Sequence, residues 1–290
     1  MKVHGLNRAE ILVADPDAAQ ATFTRLFNGA YFTSDAGTHG RPLECRHDWQ
    51  HGLELVHPKS SSDSVGQKLL RHGEGFVLTV VFQVENLADA RAHLIRNGFE
   101  IQYEGEYSRH PDVEIYRQLV LRPEQTHGFF MTLMERRWKP GAMRAVAPQD
   151  PEGMTVLGIN RVRILVRDPD RAEETFARLF NGARFRRCGG HPEGAPDCRI
   201  DWDLGLELVG PRECDRLPGQ APEPDEGSVV SVVYQVDDLD AARGHVTRNG
   251  FEIQSETDYG ACDDFEVRKE LVVKLTPNMS VAFTELRRKG

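Results

Sequence analysis

The stretch "ILVADPDAAQATFTRLFNG" at residues 11–29 returns as "ILVRDPDRAEETFARLFNG" at residues 164–182, with fourteen of nineteen positions identical. Each copy reads as a strand, a capped helix and a stop. The apolar run Ile11-Leu12-Val13 gives way to Asp15, a helix N-cap, and Pro16 follows at the one helical position where a missing N–H is harmless. Ala19, Phe23, Leu26 and Phe27 then recur at helical spacing and are expected to face a sheet. Asn28-Gly29 supplies the left-handed residue that stops the helix.

The repetition extends outward from this stretch. "HDWQHGLELVHP" (47–58) returns as "IDWDLGLELVGP" (200–211), and "VVFQVENLADARAHLIRNGFEIQ" (80–102) returns as "VVYQVDDLDAARGHVTRNGFEIQ" (232–254). Between the copies, "KPGAMRAVAPQDPEG" (139–153) is rich in Pro, Gly and small residues and lacks apolar periodicity, which marks a linker. A chain of 290 residues is long for one core and comfortable for two domains. The expected division is 1–138, a linker over 139–155, and 156–290.

A weaker echo lies inside each copy. Residues 11–32 and 80–101 both run as apolar strand, acidic turn, helix, Asn-Gly and second strand, and two more strands joined by a tight turn follow. The unit is β-α-β-β-β, written four times. One such unit leaves a concave sheet face open, and two side by side close a cup. The fold class is therefore α+β, with four modules forming two cupped mixed-sheet barrels. The pattern leaves open whether modules pair within a half, between halves or between chains of a homodimer.

The bulk properties narrow the partners. A formal net charge of −9 opposes duplex nucleic acid, and no apolar run approaches the ~20 residues that span a bilayer. "MKVHGLNRAE" lacks the apolar core of a signal peptide, and the five cysteines (45, 188, 198, 214, 262) form no CxxC pair. Reduced thiols and a cytoplasmic location are expected, with a small-molecule ligand and neither nucleic acid nor membrane as partner.

The four modules, the "D-P-D…F…L-F-N-G" helix and the "L-E-L" strand resemble the vicinal oxygen chelate superfamily, which includes glyoxalase I, extradiol dioxygenases and bleomycin-resistance proteins. The likeness covers nearly the whole chain outside the linker, and its length is most similar to a four-module extradiol dioxygenase. Fold and function separate widely in such groups, so the likeness implies architecture first.

It also implies where an ion would sit. Metal-using members hold one divalent ion inside a cup, with His or Gln on the first strands and Glu on the last strands of two paired modules. Counted from the acidic turn, the first-strand positions here are Arg8 and Thr79 in one half and Arg161 and Ser231 in the other. The last-strand positions are Glu54 and Glu207 in the two "LEL" strands, and Thr132 and Thr284; a one-residue slip would bring Glu285 in for Thr284. A guanidinium has no lone pair to give, and hydroxyls are poor ligands for a lone transition ion. No cofactor is therefore expected. The alternative is an Fe, Mn, Ni or Zn site with displaced ligands. An Arg with a Glu points instead to an internal ion pair, or to a fork held free for a ligand carboxylate or enolate.

The copies differ in one place that bears on activity. With a two-residue loop at Gln50-His51, His47 lies opposite Glu54 on one face, whereas the second copy has Ile200 at His47's place. His47, Glu54 and Arg8 are the candidate catalytic group. The rival reading makes His47, His51 and His57 surface residues of a His-rich hairpin and points Glu54 to water. Trp49 is either a packing residue at the hairpin end or a stacking surface for a planar ligand. Thr79, Thr132, Arg161, Glu207, Ser231 and Thr284 complete the candidate binding residues. Four functions fit this set: a sequestering protein, a metal-independent proton-transfer enzyme, a metal-dependent lyase, isomerase or dioxygenase, and a scaffold whose cups are filled by their own side chains.

Overall fold

The computed structural model describes residues 1–36, 43–107, 112–142, 149–150, 153–187, 198–211, 227–261, 264–276 and 279–289. Its first half runs β1 (Val3–Leu12), α1 (Pro16–Leu26), β2 (Thr33–Ala36), β3 (Leu43–Asp48), β4 (Leu53–Pro58), α2 (Ser64–His72), β5 (Val77–Val84), α3 (Leu87–Arg96), β6 (Ile101–Glu106), β7 (Val113–Leu121) and β8 (Met131–Trp138). The second half repeats the order: β9 (Val156–Leu165), α4 (Pro169–Phe180), β10 (Arg186–Arg187), β11 (Cys198–Asp201), β12 (Leu206–Val209), β13 (Val229–Val236), α5 (Leu239–Arg248), β14 (Glu252–Asp258), β15 (Phe265–Thr276) and β16 (Met279–Arg288). Helix α2 and a single 3-10 turn at Pro123–Gln125 are elements of the first half that the repeat pattern did not announce.

Each half forms one eight-stranded mixed sheet, in the orders β2-β3-β4-β1-β5-β8-β7-β6 and β10-β11-β12-β9-β13-β16-β15-β14. The first strands of paired modules meet antiparallel at the centre, β1 on β5 and β9 on β13, while each last strand runs parallel to its own first strand. Modules thus pair within each half of this chain rather than between its halves.

Helix α1 begins as expected. The Asp15 carboxylate accepts hydrogen bonds from Asp17 N at 2.9 Å and Ala18 N at 3.0 Å, and Asp168 caps α4 through Arg171 N at 3.1 Å. Both helices end at an Asn with positive φ, 58° at Asn28 and 48° at Asn181. Ala19, Phe23, Leu26 and Phe27 are buried, as their spacing requires.

The apolar core lies on the helix-bearing faces of both sheets and is continuous between the halves. Phe27 meets Tyr234 at 4.6 Å between ring centroids, and Phe82 meets Phe180 at 4.8 Å. The contacts are reciprocal across the repeat. His245 Nε2 in α5 lies 2.8 Å from Arg25 O, and His93 Nε2 in α3 lies 3.0 Å from Leu179 O. Gly52 and Gly205, with φ of +74° and +73°, let each hairpin lie against its own first strand and touch that of the other half; a Cβ at Gly52 would sit 2.6 Å from Asn7 O and 2.7 Å from Ile159 Cγ2, and one at Gly205 would sit 2.6 Å from Asn160 O and 3.1 Å from Leu6 Cβ.

Two expectations need correction. Cys198 is disulfide-bonded, so the five thiols are not all reduced and one support for a cytoplasmic location falls away. His47 and His51 are buried, at 2 % and 3 % exposure, so the surface-histidine reading does not hold for them. Among the described residues, no helix is long and apolar enough to cross a membrane.

Candidate functional site

The faces of the two sheets turned away from the helices carry the polar residues of interest. Alternation along the strands puts Arg8 and Glu10 of β1, Glu54 of β4, Thr79 of β5, Tyr116 and Gln118 of β7, and Thr132, Met134, Arg136 and Trp138 of β8 on the first of these faces. Neighbouring Leu53, Leu55, Val80, Leu133 and Leu119 point to the core instead.

The register expected for the first hairpin is correct. His47 pairs with Glu54 and Asp48 with Leu53, although the loop between them covers residues 49–52 and is closed by Gly52 N donating to Asp48 O. His47 Nδ1 lies 3.3 Å from Glu54 Oε2, off the line required for a hydrogen bond. Arg8, only 2 % exposed, donates from Nε to Glu54 Oε2 at 2.6 Å and from Nη2 to Glu10 Oε1 at 2.9 Å. Its remaining contacts are Tyr116 Oη at 3.0 Å and Met134 Sδ at 3.1 Å. The guanidinium therefore lies between two carboxylates that sit side by side on parallel strands, since Glu10 and Glu54 are register partners.

These neighbours push the two carboxyls apart. Burial alone would raise Glu54, but His47 and Arg8 overcome it and hold the group well below the usual carboxylate range. Burial and the adjacent Glu54 charge together push Glu10 up to about 8, against the pull of Arg8. Burial likewise pushes the Tyr116 hydroxyl far up, so it stays protonated.

An aromatic wall closes the same face. Trp49 stacks on His47 with 4.5 Å between centroids and 6° between planes, and meets Trp138 edge-on at 5.5 Å and Tyr116 at 5.8 Å. The indole N–H of Trp49 donates to Thr33 Oγ1 at 3.1 Å. The Arg136 guanidinium lies over both indoles, 4.6 Å from the Trp49 ring and 4.5 Å from the Trp138 ring. Its Nε and Nη1 are buried without a hydrogen-bond partner, as is Gln118 Oε1, while Gln118 Nε2 donates to Tyr107 Oη at 2.5 Å. Burial and the nearby Arg8 charge lower the Arg136 guanidinium to about 10, which leaves it cationic at neutral pH.

The second cup is built on the same frame with different charges. Arg161 donates to Glu207 at 2.8 Å and Glu270 at 2.5 Å. Arg163 donates to Glu207 at 2.9 Å and grips Glu270 with two bonds of 2.8 and 2.7 Å. All four side chains are buried, and their charges cancel. Glu207 is held below the usual range because the arginines outweigh the effect of burial. Trp202, the counterpart of Trp49, lies under Arg161 at 5.3 Å and against Phe265.

The sequence-based candidates divide between these two clusters. Arg8, His47, Glu54, Trp49, Thr79 and Thr132 share the first cup, where the Thr79 and Thr132 hydroxyls lie 3.4 Å apart and Thr79 also donates to Phe130 O. Arg161, Glu207 and Ser231 share the second; Ser231 pairs with Arg163 across the central strands, as Thr79 pairs with Glu10. Thr284 needs correction as the counterpart of Thr132. Thr132 pairs with Val81, and the residue that pairs with Val233 is Ala282, because the second copy is two residues shorter ahead of its last strand. Thr284 instead stands at the level of Met134 and donates to Lys269 O. The slip to Glu285 is also excluded: Glu285 accepts from Leu239 N at the start of α5, as Glu135 accepts from Leu87 N at the start of α3.

Five residues that shape the cups escaped sequence reasoning: Glu10, Arg163, Gln118 with its counterpart Glu270, and Arg136. Period-two alternation gave a signal for the first pair, since "RAE" and "RVR" place position 10 and position 163 on the same face as Arg8 and Arg161. No local pattern pointed to the others.

The residues do not fit a divalent ion of the kind the fold family uses. Both carboxylates of the first cup are bound by Arg8, the other interior positions offer hydroxyls, and the second cup binds its carboxylates with two arginines. Among the described residues no group of three His, Cys, Asp or Glu side chains could hold a metal.

No family model matches the chain, and no curated protein matches it. Solved structures do. A variant of 4-hydroxymandelate synthase from Streptomyces coelicolor superposes with a TM-score of 0.71 at 12 % identity, covering 100 % of this chain and 95 % of its own. Catechol 2,3-dioxygenase gives 0.66 at 13 % identity, covering 100 % and 90 %. Identity this low carries the architecture alone. With two curled eight-stranded sheets built from four β-α-β-β-β modules, the chain has the vicinal oxygen chelate fold in its dioxygenase-like, two-sheet form.

Proposed function

We propose that this protein binds a small oxygenated organic molecule in its first cup without a divalent ion, and that the second cup is a structural partner filled by its own side chains. The observation that carries this reading is the distribution of unpaired polar atoms. The first cup keeps Arg136 Nε and Nη1 and Gln118 Oε1 buried without partners beneath an aromatic wall. The equivalent region of the second cup spends its charges on the Arg161, Arg163, Glu207 and Glu270 quartet, and among its described residues Ser231 Oγ alone is left over. Buried polar groups without partners are costly unless something else satisfies them, and a ligand is the economical candidate.

Within this reading, Arg8 is a positioning residue, because every contact it makes is internal. His47 and Trp49 supply a stacked wall, and Thr79 and Thr132 supply hydroxyls at the floor. A second reading, proton transfer on the bound molecule, is favoured by Glu10: a carboxyl that exchanges its proton near pH 8 suits a general acid or base at neutral pH.

Two measurements test the proposal. A thermal-shift screen against aromatic and dicarbonyl compounds is expected to find stabilising ligands for the wild type, with smaller shifts in His47→Ala. Absence of any stabilisation would leave the filled scaffold as the correct account. Elemental analysis of protein purified without chelator or affinity tag is expected to find no stoichiometric Fe, Mn, Ni or Zn, and about one ion per chain would sink the metal-independent reading.

A further inference from the structure

We infer that Arg136 is the anchor for a carboxylate, so that the first cup selects aromatic monocarboxylates over their neutral counterparts. This rests on the reading of the first cup as a ligand cup and names the class of molecule it takes.

The argument begins with what surrounds the guanidinium. Trp49 and Trp138 flank it through their ring faces, which stabilises a cation but satisfies none of its N–H groups. Nε and Nη1 are shut off from solvent with no acceptor in reach among the described residues. The acceptors that might have served are taken: Glu54 and Glu10 both bind Arg8, and the Tyr116 hydroxyl accepts from Arg8 as well. Arg136 is a half-buried cation whose Nε and Nη1 the fold has stacked and shut off from water but not paired.

Charge bookkeeping gives the valence of the missing group. Arg8 and Arg136 bring two positive charges to this face, the ionised Glu54 removes one, and Glu10 is largely protonated at neutral pH. One negative charge restores neutrality. In the second cup Arg161 and Arg163 both meet Glu207 and Glu270, and Leu286 stands at the register place of Arg136, opposite Arg268 where Arg136 is opposite Tyr116.

The shape of the donor set gives the chemistry. Nε and Nη1 stand on different edges of the guanidinium; Nε with Nη2 forms the edge that meets a carboxylate through two parallel hydrogen bonds, as Arg243 meets Glu256 in this chain. A carboxylate here takes the buried Nε–H and leaves Nη1 to a second acceptor. Indole and phenol rings on either side favour a planar, apolar body attached to that carboxylate, and Gln118 Oε1 offers an acceptor for a hydroxyl on it. An aryl or arylalkenyl monocarboxylate meets all three demands.

The experiment is calorimetric titration of the full chain with benzoate, phenylacetate, cinnamate and salicylate, each beside its carboxamide, in the wild type and in Arg136→Met and Arg136→Lys. At least one acid is expected to bind the wild type roughly tenfold or more tighter than its amide, the factor one charge-assisted hydrogen bond gives. That preference is expected to vanish in Arg136→Met and to be weakened in Arg136→Lys, which keeps charge without the fork. Amides that bind as well as acids, or a preference that survives Arg136→Met, would overturn the carboxylate anchor and leave the ligand cup standing. Failure of all eight compounds would overturn the anchor, and the broader screen above would then judge the cup. The ligand-free melting temperature gives an independent check: Arg136→Met is expected to melt at or above the wild type, because it removes a cation whose Nε and Nη1 are buried without partners. A drop of several degrees would assign Arg136 to holding the fold and defeat the inference.

Discussion

Glu10 and Arg163 occupy the same place in the two copies, two residues beyond an arginine and beside a glutamate on the parallel strand. In the second cup the pair at that place is guanidinium against carboxylate, and with Glu270 opposite it completes a closed set of five hydrogen bonds between two arginines and two glutamates. In the first cup the pair is carboxylate against carboxylate, and a single arginine must serve both. Exchanges at three strand positions, Glu10 for Arg163, Gln118 for Glu270 and Arg136 for Leu286, thus separate the two cups. The lesson is that two copies can share one frame while their interior charges are arranged differently.

The sharpest way to break this comparison is to open the closed set. Glu270→Ala leaves Arg163 with one acceptor and Arg161 with a missing one, and is expected to destabilise the chain by about 3–5 kcal/mol in urea unfolding. Gln118→Ala, at the matching place in the first cup, is expected to cost much less, since Gln118 carries no charge and already leaves Oε1 unpaired. Equal losses at the two sites would remove the distinction between the cups.

The next effect is a dependence on pH that belongs to the first cup. Glu10 has its folded value raised from 4.5 to about 8, so the folded state holds a proton that the unfolded chain has released, and stability falls as pH rises across that interval. Glu54 works in the opposite sense: its value is lowered, so its contribution is present above the unfolded carboxylate value and lost on acidification. Urea unfolding at pH 5.5 and pH 8.5 is expected to show a loss on the order of 3 kcal/mol at the higher pH, an amount consistent with 1.36 kcal/mol per pK unit. Glu10→Gln is expected to abolish most of that loss. A profile unchanged by Glu10→Gln would place the proton elsewhere.

A smaller effect tests whether the second cup's arrangement can be transplanted. Glu10→Arg and Gln118→Glu are each expected to destabilise alone, and the double variant is expected to recover about 2 kcal/mol of the summed loss, the coupling of a newly made pair. Additive losses would mean that the frames of the two cups differ more than their register indicates. The smallest effect is one in which the copies should agree. Asp15→Ala and Asp168→Ala each remove a helix cap and are expected to cost about 1 kcal/mol apiece.

The amino-acid sequence by itself determined the module, its fourfold use and the local punctuation, because caps, helical spacing and Asn-Gly stops are interactions between residues close in the chain. It also determined that His47 faces Glu54, since a short hairpin leaves little freedom of register. Tertiary structure decided the rest. Which modules pair, which acceptors Arg8 and Arg163 reach, and why Arg136 reaches none all depend on strands brought together from distant parts of the chain. The two-residue difference ahead of the last strand, which moved Thr284 away from the place of Thr132, is invisible to a repeat alignment because both registers keep the same face inward. Alternation tells which side of a sheet a residue occupies; only the packed sheet tells what stands across from it.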